Sequence, residues 1–148
     1  MNDIRFSIGD EVRVVRDIRS DGSNVGYSKG DLLVREGEIG IVRHVGYWLQ
    51  DQVIFRVYFL NANMTIGVRD KEVISAQLAW CPTKYYRGQT VQLTLDLRAQ
   101  GEMIARRGDD VQVIDYERDL ATGDLNYKIA LNEFWINVAD RALSSSLS

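Results

Sequence analysis

The sequence predicts an all-β chain folded as two small barrels in tandem. Three observations carry that prediction: apolar residues recur at period two, one stretch of sequence occurs twice, and glycine turns separate runs of only a few residues. Period two puts successive side chains on opposite faces of a strand, so one face can be buried while the other meets water. Strands this short, spaced about ten residues apart, suit a five-stranded SH3-like barrel in each copy, which hides most sheet edges by closure. One continuous β sandwich is the alternative architecture.

The first copy opens with Gly9, Val12, Asp17, Ile18 and Arg19, which recur as Gly88, Val91, Asp96, Leu97 and Arg98 at a spacing of 79. Residues 30–38 then read closely against residues 101–109 at a spacing of 71, so the first copy carries eight extra residues within 20–29. Val53, Phe55, Val57 and Phe59 form one apolar strand face, and Ile54, Tyr58 and Leu60 on the other predict a strand covered on both sides. Ile66-Gly67-Val68-Arg69-Asp70 aligns with Ile136-Asn137-Val138-Ala139-Asp140 further on. The clearest half-buried strand is Val91, Leu93, Leu95 and Leu97 alternating with polar residues.

These copies place a first barrel at 1–76, a linker at 77–84 containing the single proline, Pro82, and a divergent second barrel at 85–148 with a frayed tail from Ser144 to Ser148. Units of this size are marginal alone, so Trp80, Tyr85 and Tyr86 are expected to hold the two barrels together.

Charge and composition narrow the function. The net charge of −3 comes from 18 basic and 21 acidic side chains distributed along the chain, which leaves no electrostatic footprint for nucleic acid or anionic membrane. Arg13, Arg16 and Arg19 could form a basic strip, but Asp17 and Asp21 interrupt it. Met1-Asn2-Asp3-Ile4-Arg5 lacks the apolar core of a signal peptide, and the expected location is cytoplasmic. A lone Cys81 excludes an internal disulfide and cannot supply the roughly four thiolates of an iron-sulfur site, so no cofactor of its own is expected.

Catalysis finds little support. His44 is the single histidine, and neither a glycine-flanked serine nor a phosphate loop occurs. The carboxylate pairs Asp10-Glu11 and Asp109-Asp110 sit beside glycine at strand entries, where turns favour solvated acids. Two segments read instead as binding loops: residues 20–27, polar and glycine-rich, and residues 44–52, where Tyr47 and Trp48 precede Leu49, Gln50, Asp51 and Gln52. The second copy has nearly no loop between Arg98 and Gly101, and Leu120-Ala121-Thr122-Gly123-Asp124 in place of the aromatic segment.

Phe6, Gly9-Asp10-Glu11-Val12, Ile18-Arg19-Ser20-Asp21-Gly22, the glycine-bearing stretch 30–40, Leu49-Gln50-Asp51-Gln52, and Ile66-Gly67-Val68-Arg69 followed by Glu72 together resemble the NifZ family of nitrogen-fixation accessory proteins. The set covers residues 6–74 and extends more loosely through Trp80-Cys81-Pro82, Gly88 and Val91. Members often carry cysteine where this chain has Val68, so a thiol at that place cannot hold iron here. The resemblance implies a non-enzymatic chaperone in maturation of the nitrogenase molybdenum-iron protein, acting on its immature form as the P-clusters assemble. The residues expected to meet that partner are Arg19, Asp21, Gly22, Trp48, Leu49, Gln50, Asp51, Gln52 and Arg69. The alternative is a general SH3-like module for peptide or nucleic acid.

Overall fold

A computed structural model describes residues 4–48 and 52–145. The chain divides into two compact units, 1–78 and 79–148. Among the described residues there are fourteen strands, two 3-10 turns and no α-helix. The first unit holds β1 (Glu11–Val14), β2 (Ile18–Arg19), β3 (Leu32–Val34), β4 (Ile39–Trp48), β5 (Gln52–Phe59) and β6 (Met64–Arg69), then the 3-10 turn Asp70–Glu72 and β7 (Val73–Ser75). The second holds β8 (Thr90–Leu93), β9 (Leu97–Ala99), β10 (Glu102–Ala105), β11 (Asp110–Arg118), β12 (Leu125–Leu131) and β13 (Phe134–Ala139), then the 3-10 turn Asp140–Ala142 and β14 (Leu143–Ser145).

The repeat in sequence is a repeat in topology. Each unit has one five-stranded antiparallel sheet, in the orders β6-β5-β4-β1-β7 and β13-β12-β11-β8-β14, and one separate two-stranded ladder, β2-β3 or β9-β10. Even the irregularity recurs, since a register shift between Val42 and His44 on β4 is matched between Val113 and Asp115 on β11. No closed barrel forms through these ladders: the sheet edges are β6 and β7 in one unit, β13 and β14 in the other. All-β architecture is therefore shown, and edge-to-edge closure is not.

Matched side chains hold the turns. The Arg35 amide donates to Glu38 at 2.6 Å and the Arg106 amide to Asp109 at 2.9 Å, so these acids close their own turns. Asp17 accepts from the Glu36 amide and Asp96 from the Arg107 amide, both at 2.8 Å, tying the end of β1 or β8 to the turn before β4 or β11. Phe6 packs edge-on against Phe55, centroids 5.5 Å apart, and Tyr85 against Tyr127 at 5.2 Å. Arg5 pairs with Asp70 and Lys84 with Asp140.

Several expectations need correcting. Tyr85 is buried in the second unit's own core, its hydroxyl donating to the Leu143 carbonyl, because it occupies the place of Phe6 in the first. Tyr86 is exposed. Residues 79–84, expected as linker, pack onto the second unit: the Cys81 amide donates to the Gly123 carbonyl, and Arg118 stacks 3.8 Å from the Trp80 ring centroid while donating to the Cys81 carbonyl. The run from Val91 to Leu97 is broken after Leu93, where the Thr94 amide turns to the Ala142 carbonyl and Leu95 is left exposed. Ser144 and Ser145 pair with Gln92 and Val91, so that part of the expected frayed tail is strand. Finally, β5 is fully buried on one face only, since on the other Gln52 and Arg56 are exposed and Ile54 and Tyr58 are partly buried.

Candidate functional site

The expected loops differ in how the structure holds them. The β2–β3 connection is long in the first unit, whereas β9 and β10 are joined through Gln100 and Gly101, both at positive φ of 52° and 82°, a two-residue turn of the kind that fits strand twist. The long connection is built from its own polar groups. The Ser20 hydroxyl donates to Asn24 and accepts from the Gly22 amide, and the Asp21 carboxylate accepts from the Ser23 amide and hydroxyl at 2.9 and 2.6 Å. Arg19 donates to the Gly30 carbonyl. Gly22 has φ of 101°, where a β-carbon would be strained. Val25, at the loop's far end, is 95% exposed.

The two bonds from Ser23 hold the Asp21 carboxyl below its ordinary value. A depressed carboxylate keeps its contribution above the unfolded-state value and loses it as pH falls through the folded one. Asp21→Ala, which removes the acceptor, is therefore expected to lower the amide-exchange protection factor at Ser23 at neutral pH, as acid does in the native chain once intrinsic exchange is allowed for, with the melting temperature little changed. Unaltered Ser23 exchange in the variant would show that the carboxylate does not order the loop.

Trp48 and Gln52 face each other across the β4–β5 hairpin, and Leu49, Gln50 and Asp51 lie outside the described residues. Tyr47 is 59% exposed. Arg69 ends β6 opposite Ile54, so it shares that end of the sheet with Gln52. Its amide donates to Glu72, whose other oxygen takes two bonds from Arg16, so Glu72 secures the 3-10 turn. The hydrogen bonds described for Arg19, Asp21 and Gly22 run within the β2–β3 loop. The expected site residues thus fall into two groups, one on that loop and one at the open end of β4–β6.

Sequence reasoning passed over the strand face between them and their neighbours: His44 and Arg56 are exposed cross-strand partners on β4 and β5, beside Arg43. The interruption of an apolar run by Arg56 was the available signal. His44 and Cys81 belong to different units, and among the described residues no three of His, Cys, Asp and Glu converge as metal ligands. No helix among them is long and apolar enough to cross a membrane.

Fold and site define a two-copy β protein whose candidate functional groups sit on loops and an open strand face. The match to known proteins is specific. Residues 3–75 match the NifZ domain. Protein NifZ of Azotobacter chroococcum mcd 1 is 38% identical over 125 residues, covering 84% of this chain and 79% of the relative. Protein NifZ of Klebsiella pneumoniae is 33% identical over 140 residues, 95% of this chain and 93% of the relative, so that match takes in both units. A putative NifZ protein of Sinorhizobium fredii is 38% identical over 74 residues, 50% of this chain and 68% of the relative. The chain belongs to the NifZ family of nitrogen-fixation accessory proteins.

Proposed function

We propose that this chain is a non-enzymatic chaperone that assists maturation of the nitrogenase molybdenum-iron protein, binding its immature form while the P-clusters are built. The observation that carries this reading is the asymmetry between copies. Both units share one topology, yet only the first, which spans the residues matching the NifZ domain, has the long β2–β3 loop. A chain with one thiol serves a cluster by binding the protein that owns it. The partner surface comprises Arg19, Asp21 and Gly22 on the loop, residues 48–52 at the hairpin, and Arg69 beside it. The reading includes a cytoplasmic location and an SH3-like description of each unit, in which the 3-10 turn leads the last strand back beside the first.

Co-purification tests it: the tagged chain is expected to retain immature molybdenum-iron protein and to release the mature form. Trp48→Ala and Asp51→Lys are each expected to weaken retention about tenfold or more, since buried aromatic anchors at interfaces contribute over about 2 kcal/mol. Equal retention of mature and immature protein would defeat the proposal. Undiminished retention by both variants would remove the hairpin from the surface.

A further inference from the structure

We propose that the outer face of β4, β5 and β6 is a docking surface for an acidic polypeptide segment. Cross-strand register sets its composition. The outward rows are Ile41, Tyr58 and Thr65, then His44, Arg56 and Gly67, then Gly46, Ile54 and Arg69. The opposite face, with Val57, Phe55, Ile66 and Val68, is the core. Two of these nine outward positions carry arginine, Arg56 and Arg69, one carries His44, and none carries an acid. Arg43 adds a third guanidinium, 5.5 Å from the Tyr58 ring centroid.

The first unit as a whole holds ten basic and eleven acidic side chains, so this concentration of one sign is local. Elsewhere in the unit Arg5 is matched to Asp70 and Arg16 to Glu72, while Arg13 and Arg19 donate to the backbone carbonyls of Gly37 and Gly30. Among the described residues neither Arg56 nor Arg69 has a carboxylate partner.

The face also has a floor. Gly46 lies opposite Ile54 on one side, and on the other a β-carbon at Gly67 would come 3.5 Å from the Ile54 side chain. Two glycines thus expose Ile54 at the bottom of a depression of about 230 Å³, lined also by His44, Tyr47 and Arg56. An apolar side chain fits over Ile54, with carboxylates on either side reaching Arg56 and Arg69 in the bidentate geometry guanidinium favours.

The second unit shows that the fold does not require this arrangement. By register, His44 corresponds to Asp115, Gly46 to Glu117 and Arg69 to Ala139. There Asp115 is bonded to Arg87, and Lys128 lies 4.1 Å from the centroid of the Trp135 ring. The sign of the face is therefore a property of the first copy alone. A short acidic segment fits within it, whereas a long polyanion would run onto the acidic remainder of the unit.

The inference does not rest on the nitrogenase reading, and its test uses the isolated full chain. Anisotropy of a fluorescein-labelled hexapeptide, Glu-Leu-Glu-Glu-Leu-Glu, is compared with its Gln-Leu analogue and with a short thymidine oligonucleotide. The acidic peptide is expected to bind at least tenfold more tightly than either, and several-fold less tightly as salt is raised from about 50 to 200 mM. Arg56→Glu, and separately the pair His44→Asp with Arg69→Ala that copies the second unit, are expected to weaken binding tenfold or more. Arg35→Glu, at a turn off this face, is expected to leave it unchanged. Thermal unfolding of each variant establishes that it is folded, and the pair that imitates the second unit stands in if Arg56→Glu is not. Absent binding, equal affinity for the glutamine peptide, tighter binding of the oligonucleotide, or full affinity in folded variants would overturn the proposal.

Discussion

Replacing Gly40 with valine is expected to destabilise the first unit by about 3 kcal/mol, near the top of the usual range for overpacking. Gly40 lies on β4 opposite Val12 and faces the core. A β-carbon there would collide with Val57 and come within 2.8 and 2.9 Å of the Phe59 ring. By register the second unit has Val111 where the first has Gly40, and Leu131 where the first has Phe59. The two cores thus fill the same space by opposite choices, small on one strand and large on its neighbour, or medium on both. Phe59→Leu opens a gap that valine at position 40 can occupy. The double variant is expected to recover at least about 1 kcal/mol over the sum of the single changes, a coupling characteristic of residues in contact. In a unit of this size 3 kcal/mol lowers the melting temperature by on the order of 15 °C, which amide exchange at Val42 and Val57 would localise. Strict additivity would mean that Phe59 does not limit the space at Gly40.

Truncating Tyr127 to alanine is expected to cost the second unit about 3–5 kcal/mol, since its ring is fully buried against Tyr85. Tyr127→Phe is milder but leaves the Lys84 amide, which donates to the Tyr127 hydroxyl at 3.0 Å, without its acceptor. Burial pushes both phenols above the ordinary 10.0, with the charge of Asp140 adding in the same direction. An acid whose folded-state pKa is raised favours the neutral form in the fold. Its stabilising contribution is complete below the unfolded value and disappears as pH rises through the folded one. Bonding to Asp140 also raises the Lys84 ammonium, whose contribution is likewise lost on deprotonation at high pH. The first unit has Phe6 and Phe55 in the places of these tyrosines, with nothing there to ionise. Alkaline titration is therefore expected to unfold the second unit before the first, with phenolate absorbance rising in step. Tyr85→Phe combined with Tyr127→Phe should shift that transition to higher pH, and an unmoved transition would place its cause elsewhere.

The repeat is where sequence and structure agree most closely, for a physical reason. Asp17 and Asp96, Gly37 and Gly108, and Val12 and Val91 each meet a local demand of the same turn or the same buried strand position. Local demands leave a mark on residue type. The segment 79–84 leaves no such mark. Pro82 and a change of rhythm suggested a linker, but Arg118, remote in sequence, binds that segment to the second unit. Likewise the alternation through Leu95 and Leu97 looked like one strand, and a hydrogen bond from Thr94 to Ala142 ended it.

By itself the sequence determined the all-β class, the two copies, the longer loop of the first and the family, because strand period, glycine turns and motif spacing are written in neighbouring residues. Tertiary structure alone decided that the sheets stay open through their ladders and that β5 is fully buried on one side only. It also decided that His44, Arg56 and Arg69 share a face around Ile54. Those three side chains come from three strands, and only the register of β4 on β5 and of β5 on β6, set by burying the opposite face, brings them side by side.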